Sequence, residues 1–439
     1  MSGIRKLLLV LLTAALLSGC SARTVDELYC LPKRSEEFNN LQSAISKEMD
    51  GLEYCAPLTG ENLQTLQMAD LDGDGVQEYL LFANGASDKP LQILIFREED
   101  EKYVLSDTIQ SAGAAFDVVE YARIDNRPGY ELIVGRQVSD QVTRSVSVYQ
   151  FVDGKAVQLM NTAYTKLVPY DMNADGRCEL VVLHPGEAAQ INGLADAYSF
   201  IDGAMVRSNQ VNMSESVDQI KRIVAGQLHG GTPAVYVASA VGENAIITDV
   251  FAQVNGQFTN VTFSNESGTS VQTLRNYYVY ADDIDEDGVV ELPNLITMES
   301  PVDASIADMQ YLIRWYAMTA TGDEKNKMFT YHNFQSGWYV TLESDWAPRV
   351  AVVQQGNAYE FYLWDTHFIE AKKLFTVYAY TGKDRDSLAT TDNRFRLYKT
   401  DSVVYAAYLE VASADYGIDQ DKLIANFHLI HQDWKTGET

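Results

Sequence analysis

From residue 63 onward, apolar and polar positions alternate with a period of two, a pattern typical of half-buried β-strands. Gly, Asp, Ser and Pro separate the apolar runs, and Asp153-Gly154, Asp202-Gly203 and Asn255-Gly256 predict tight hairpin turns. The strands predicted for the first two units are 66–71, 78–83, 91–96 and 103–109, then 118–124, 131–134, 145–151 and 156–159. The chain is therefore predicted to be mainly β, built from repeated units of about four strands.

Two segments differ from this repeated pattern. Between 35 and 49, Phe38, Leu41, Ile45 and Met49 fall at three- and four-residue intervals, which predicts a short amphipathic helix. After residue 328 the alternation continues and a helix is predicted at 419–431, so 329–439 is predicted to be a small α+β domain.

An acidic nine-residue loop recurs immediately before three of the predicted strands, at 70–78, 171–179 and 283–291. Side-chain oxygens occupy positions 1, 3, 5 and 9 of each copy, and Gly occupies position 6. A partial copy at 123–131 keeps acids only at positions 3 and 9. The position-9 residues are 53, 48 and 112 residues apart, so a degenerate copy is expected within the last interval, at 226–237.

A repeat of about 50 residues with four strands is typical of β-propeller blades. Five such units fit between about 60 and 330, and a sixth blade built partly from flanking segments is left open. The predicted organisation is a signal peptide at 1–19, a tether and helix at 20–60, the propeller at 61–328, and the C-terminal domain at 329–439.

The loops have the donor set of a hard cation. Calcium takes about six to eight oxygen ligands, and clustered carboxylates without an ion repel one another. The predicted ligands are the side chains at positions 1, 3, 5 and 9 and the backbone carbonyl at position 7. They are Asp70, Asp72, Asp74, Val76 and Glu78; Asp171, Asn173, Asp175, Arg177 and Glu179; and Asp283, Asp285, Asp287, Val289 and Glu291. Up to three structural calcium ions are therefore predicted.

Two other calcium loops do not fit this pattern. An EF-hand needs Glu at position 12, where this chain has Leu81, Val182 and Asn294, and dockerin loops lie closer together. The pattern Asp-x-Asp-x-Asp-Gly-x-x-Glu leading into a strand instead resembles the FG-GAP repeats of integrin-α-type propellers. That resemblance covers 60–330 and implies structural calcium at the blade hairpins. An ion that bridges to an acidic ligand is the alternative.

The first twenty residues look like a secretion signal. Arg5 and Lys6 precede an apolar run at 7–17, which is shorter than the ~20 residues of a membrane-spanning helix. The run ends in Leu-Ser-Gly-Cys20, which resembles a bacterial lipobox and implies lipidation of Cys20. An ordinary signal peptide is the alternative. The order of the segments at 25–28 (Val-Asp-Glu-Leu) and 31–33 (Leu-Pro-Lys), the helix, 57–60 (Pro-Leu-Thr-Gly) and the acidic loop at 70–75 resembles that of Firmicutes lipoproteins with FG-GAP-like repeats. This resemblance implies an extracytoplasmic protein anchored to the outer face of the cell membrane, but no reaction.

Composition narrows the choice of partners. The chain has 33 Lys and Arg against 61 Asp and Glu, a formal charge of −28, which argues against nucleic acid. Cys30 and Cys55 either form a disulfide in an oxidising compartment or remain thiols. Cys178 stands at loop position 8, where other copies have Gln77 and Val290, and is predicted to be a packing residue.

The sequence contains no nucleophile elbow, zinc-binding helix motif or phosphate-binding loop. A binding or interaction platform for envelope proteins or glycans is therefore favoured over an enzyme. The alternative is a carbohydrate-active envelope enzyme with its site in the propeller funnel, which needs acids there outside the loops. A third hypothesis is the recognition part of an envelope assembly.

Overall fold

The computed structural model describes residues 36–138, 143–186, 192–276, 279–301 and 310–430. The predicted signal peptide, Cys20 and Cys30 lie outside these residues. The described residues form two compact units. Unit 1 contains residues 36–56, 64–70 and 75–112, and unit 2 contains residues 57–63, 71–74 and those from 113 onward.

Unit 1 is one antiparallel sheet covered by the predicted helix. Its elements are α1 (Glu36–Glu48), β1 (Leu52–Tyr54), β2 (Leu66–Ala69), β3 (Glu78–Gly85), β4 (Leu91–Glu99) and β5 (Lys102–Ser111). Strands β1 and β2 both pair with β3, and β4 and β5 follow as a meander. Leu41 and Ile45 of α1 are buried against Leu94 and Phe96 of the sheet, as the helical spacing of the apolar residues predicts.

Unit 2 begins with three four-stranded antiparallel sheets, each in chain order. The first contains β6 (Ala115–Ala122), β7 (Glu131–Gln137), β8 (Arg144–Val152) and β9 (Lys155–Tyr164). The second contains β10 (Lys166–Tyr170), β11 (Glu179–His184), β12 (Leu194–Ile201) and β13 (Ala204–Asn212). The third contains β14 (Ile220–Gln227), β15 (Pro233–Val241), β16 (Ala245–Val254) and β17 (Gln257–Asn260).

The three predicted hairpin turns join the last two strands of these sheets. Asp153-Gly154, Asp202-Gly203 and Asn255-Gly256 all have positive φ at both residues, which only Gly, Asn and Asp adopt readily. The meanders with their short turns confirm the mainly β, propeller-type architecture.

Two five-stranded sheets follow. One contains β18 (Glu291–Thr297), β19 (Tyr311–Met318), β20 (Glu324–Asn333), β21 (Trp338–Leu342) and β27 (Phe427–Leu429). The other contains β22 (Val350–Gln355), β23 (Ala358–Trp364), β24 (Ala371–Thr381), β25 (Phe395–Lys399) and β26 (Val403–Leu409), in the order β22-β23-β24-β26-β25. Residue 329, the expected start of the last domain, lies inside β20.

The helix predicted at 419–431 is wrong over most of its length. The helices of this region are α2 (Arg385–Leu388) and α3 (Gln420–Ala425), and α3 is followed directly by β27. Asp419 caps α3 by accepting a hydrogen bond from the Lys422 N–H at 2.8 Å. Phe427 stacks on Trp338 of β21, with ring centroids 5.6 Å apart, so tertiary packing overrides the local helical spacing.

No helix among the described residues is long and apolar enough to span a bilayer.

Candidate functional site

The acidic loops lead into the second strand of their sheets. Loop 171–179 joins β10 to β11, and loop 123–131 joins β6 to β7. In the sheet that begins with β18, the first strand is reduced to one antiparallel bridge between Asp282 and Glu291. The position-9 acids Glu131, Glu179 and Glu291 are each the first residue of a strand and are buried.

The acid at position 1 folds each full loop. Asp283 accepts hydrogen bonds from the N–H groups of Asp287 (2.9 Å) and Gly288 (2.7 Å). Asp171 does the same for Asp175 (3.1 Å) and Gly176 (2.8 Å). The glycines at position 6 have φ of +86°, which a residue with a Cβ adopts only with strain. The glycine at position 6 therefore permits the left-handed turn that closes the loop.

The acid at position 9 is tied to the backbone at position 2. Glu179 accepts from the Met172 N–H at 2.9 Å, and Glu291 accepts from the Ile284 N–H at 3.2 Å. The position-2 residues are apolar and buried. The position-9 carboxylate is therefore held to its own loop by a hydrogen bond from the backbone.

Loop 283–291 brings three predicted ligands together. Single carboxylate oxygens of Asp283, Asp285 and Glu291 all lie within 4.8 Å of one another, so the group is able to hold a metal ion. Burial, reinforced by Asp285, raises the pKa of Glu291 to about 8. Lys327 of β20 points into the same cluster, with its Nζ 3.3 Å from Asp285 and 3.8 Å from Glu291, and also pairs with Asp287.

The predicted site in loop 171–179 differs from this arrangement. In loop 171–179, Asn173 donates a hydrogen bond to Glu179 at 2.9 Å, and the Arg177 side chain pairs with Asp175 and with Asn126 of the preceding loop. The side chain of Arg177 therefore forms an ion pair within the loop. The sequence predicts only its backbone carbonyl, as a calcium ligand.

Loop 70–78 is divided between the units, with Asp70 and 75–78 in unit 1 and 71–74 in unit 2. In unit 1 the Gly75 N–H donates to Asp70 at 3.1 Å, and in unit 2 the Asp74 N–H donates to Asp72 at 3.2 Å. The Gly75 bond repeats the position-6 bond of the later loops, and the Asp74 bond repeats the one that the Asp175 N–H donates to Asn173 at 2.9 Å.

The partial loop 123–131 contains a cation of its own, which the sequence interpretation missed. Arg127 at position 5 lies 2.7 Å from Asp125 and 3.9 Å from Glu131, the two acids that this copy keeps. Its guanidinium also donates to Gln150 of β8 at 2.9 Å. The sequence does contain the signal for this cation, because position 5 is Arg here and Asp in the full loops.

Backbone hydrogen bonds connect neighbouring loops. The position-8 N–H of Cys178 donates to the position-1 carbonyl of Arg123 at 2.6 Å. Val290 donates in the same way to Gln227, in the degenerate copy, at 3.0 Å. Cys178 also packs against the core of the preceding sheet, which confirms its prediction as a packing residue. Burial and the loop acids raise the pKa of its thiol to about 11.

A cavity of about 580 Å³ lies between the first strands of three successive sheets in unit 2. Strands β6, β10 and β14 supply most of its wall, together with Thr59 and Gly60. Thr59 is bound to β6 through its N–H and hydroxyl, which donate to the Asp117 carbonyl at 2.8 and 3.0 Å. The charged lining consists of Asp117, Glu120, Arg144, Lys166, Lys221 and Arg222.

A buried polar group supports one side of the cavity. Tyr164 donates a hydrogen bond to Asp117, and Arg144 lies 3.3 Å from the same carboxylate. An added Cβ at Gly135 would lie 2.1 Å from the Tyr164 hydroxyl, so glycine leaves the space that this contact needs. Burial, followed by the charge of Glu61, raises the pKa of Glu120. None of these residues was predicted, because each lies in an ordinary alternating strand.

Cys55 is half-buried near the end of β1, and its proposed partner Cys30 lies outside the described residues. The disulfide therefore stays a prediction.

No protein-family model and no curated protein sequence matches the chain. Among solved structures, it is similar to the exotype rhamnogalacturonan lyase YesX, with 11% identity and a TM-score of 0.30 over 70% of this chain and 74% of that one. It is also similar to the Bacillus licheniformis rhamnogalacturonan lyase PL11, with 10% identity and a TM-score of 0.31 over 66% and 80%. TolB from Acinetobacter baumannii matches with 11% identity and a TM-score of 0.25 over 77% and 69%. Values this low carry no information about a site or ligand.

Proposed function

We propose that this protein is an extracytoplasmic lipoprotein whose mainly β scaffold is a ligand-binding platform, anchored to the outer face of the cell membrane through Cys20. The observation that carries the binding function is the cavity of about 580 Å³ between β6, β10 and β14. Small-molecule sites are typically concave, of about 300–1,000 Å³, with a few polar groups that fix orientation. Envelope glycans and the exposed parts of envelope proteins are the proposed partners.

In this proposal the acidic loops hold structural calcium and take no part in ligand binding. None of the loop ligands is among the residues that line the cavity. The position-1 and position-9 acids are already bound to the backbone of their own loops, which suits a role in holding the hairpin. Calcium at 70–78, 171–179 and 283–291 would reduce the repulsion among the remaining carboxylates.

Filling the cavity tests the binding function. Ala225 is exposed and lines the cavity from β14, so Ala225→Trp places an indole there without displacing core atoms. We expect the wild type to retain a component of an envelope-glycan panel, Ala225→Trp to lose it, and the control Ala225→Ser to keep it. Equal retention by all three proteins would contradict a ligand site at this cavity.

The anchor has a separate test. Wild-type protein expressed in a Gram-positive host should incorporate labelled palmitate and fractionate with membranes. Cys20→Ala should remove the label and release the protein. Unlabelled wild-type protein would show that the first twenty residues are an ordinary signal.

A carbohydrate-active enzyme is the second candidate. It is favoured by two carboxylates, Asp117 and Glu120, that line the cavity outside the loops. The raised pKa of Glu120 suits a general acid. Cleavage of any glycan on a hydrolase and lyase panel by the wild type, with loss in Glu120→Gln, would establish it. Binding of a glycan without its cleavage would support the binding platform instead.

A further inference from the structure

We propose that the cavity binds a small molecule through an anionic oxygen group, a carboxylate or a phosphate, with Lys166 and Lys221 as the principal recognition residues. This inference rests on the proposed binding function and adds the chemical class of the ligand.

The first argument is the sign of the lining charge. Four basic and two acidic residues line the cavity, whereas the chain as a whole has almost twice as many acids as bases. A cavity with an excess of one charge concentrates ligands of the opposite charge. The net charge of the whole chain is −28, so the basic excess among the lining residues is a local reversal of sign.

The second argument is which of these charges are already neutralised. Arg144 pairs with Asp117, and Arg222 of β14 lies 3.2 Å from Asp282. Glu120 is held toward its neutral form by burial. Two of the four bases are therefore committed to the protein's own carboxylates.

Lys166 and Lys221 are different. Both are exposed and line the cavity, and neither makes an ion pair with any residue in the described part of the chain. Lys166 is the first residue of β10 and Lys221 is the second residue of β14, so the two lysines belong to two different sheets. In the proposed complex, one anionic group pairs with both ammonium groups.

Binding calorimetry with defined probes tests the inference. The probes are trigalacturonate for a carboxylate, glucose 6-phosphate for a phosphate, and maltotriose as the neutral control. The variant is Lys166→Met with Lys221→Met. The matched control is Lys325→Met with Lys372→Met, which removes the same charge from exposed strand positions outside the cavity.

We expect at least one acidic probe to bind the wild type and the control, with affinity that falls as salt rises. The cavity variant should lose on the order of tenfold or more, because charged hydrogen bonds are lost. Binding of trigalacturonate would identify a carboxylate ligand, and binding of glucose 6-phosphate would identify a phosphate ligand.

Equal binding of an acidic probe by the cavity variant and the control would overturn the role of the two lysines. Binding of neither acidic probe would overturn the anionic class. In both cases the platform survives if Ala225→Trp abolishes binding of a neutral glycan, and it fails if Ala225→Trp changes no binding at all.

Discussion

Loops 123–131 and 283–291 share the same side-chain-to-backbone hydrogen bond, but their acids pair with different basic side chains. In both, a buried position-9 glutamate accepts a hydrogen bond from the position-2 N–H, at 2.7 Å for Ile124 and 3.2 Å for Ile284. The first loop neutralises its two acids with the guanidinium of Arg127. The second has acids at all four side-chain ligand positions: Asp285, Asp287 and Glu291 lie around Lys327, and Asp283, Asp285 and Glu291 form a candidate metal site.

In both loops a basic side chain lies near the position-9 glutamate, but it comes from the loop itself in one case and from another strand in the other. A covalently attached guanidinium works at any calcium concentration. In the proposed calcium-bound state, the ion reduces the remaining repulsion among the carboxylates of loop 283–291. The proposal therefore makes loop 283–291 calcium-dependent and loop 123–131 calcium-independent.

The largest expected effect comes from removing calcium. At a free concentration of a hundred times Kd, each occupied site stabilises the fold by about 2.7 kcal/mol. Thermal unfolding with and without a chelator should show a marked drop in Tm for the wild type. Asp283→Asn should reduce this drop, because it weakens loop 283–291 only. A Tm that does not change with the chelator would contradict the proposal that the full acidic loops bind calcium.

Arg127→Met should destabilise the protein by about 2 kcal/mol. Removing one partner of a fully buried ion pair costs about 3–5 kcal/mol, and the partial exposure of this guanidinium lowers the figure. Urea unfolding measures the loss, which Glu131→Gln in the same chain should partly restore. The loss should be equal with and without calcium, since position 1 of this loop is Arg123. Rescue by calcium would mean that the loop still binds the ion.

Lys327→Met addresses the other loop, with a smaller effect of about 1 kcal/mol in chelator. Its ammonium lies among the acids of 283–291, so its loss should destabilise the calcium-free protein. The calcium-loaded protein should gain affinity for the ion, because a competing charge is gone. Calcium titration followed by calorimetry tests both statements. Lys325→Met, on the same strand, is the control, and an identical titration in the two variants would contradict the competition.

The smallest effect separates acid sensitivity of the core from that of the loops. Burial lowers the pKa of His332 to about 3, so the folded protein keeps this ring neutral while the unfolded chain protonates near its ordinary value. Stability should therefore fall as pH drops below about 6.5, by less than 1 kcal/mol between pH 7 and pH 6.

His332→Phe should remove this part of the pH dependence, because the ring lies among Trp315, Phe334 and Tyr339. Urea unfolding at pH 7 and pH 6 provides the measurement. An unchanged slope in this variant would assign the acid sensitivity to other groups, such as the loop carboxylates.

The sequence predicts the repeated strands and hairpins well, because alternation and Asp-Gly or Asn-Gly turns are local signals. It also locates the loop acids that come together at 283–291. It misses Lys327 and the cavity lysines, because each lies in a regular strand and acquires its role only when distant strands pack together. The helix expected at 419–431 failed for the same reason, since Phe427 is fixed by its contact with Trp338.

The hydrogen bonds between neighbouring loops have an evolutionary consequence. Cys178 reaches Arg123, and Val290 reaches Gln227, through main-chain atoms alone. A junction of this kind places no demand on residue type, so a duplicated unit keeps its connection to its neighbour after its own side chains diverge. Each copy is then free to lose an ion site, acquire an internal base, or gain ligand-binding groups on its first strand. Such a chain can conserve its architecture while erasing the sequence record of its repeats.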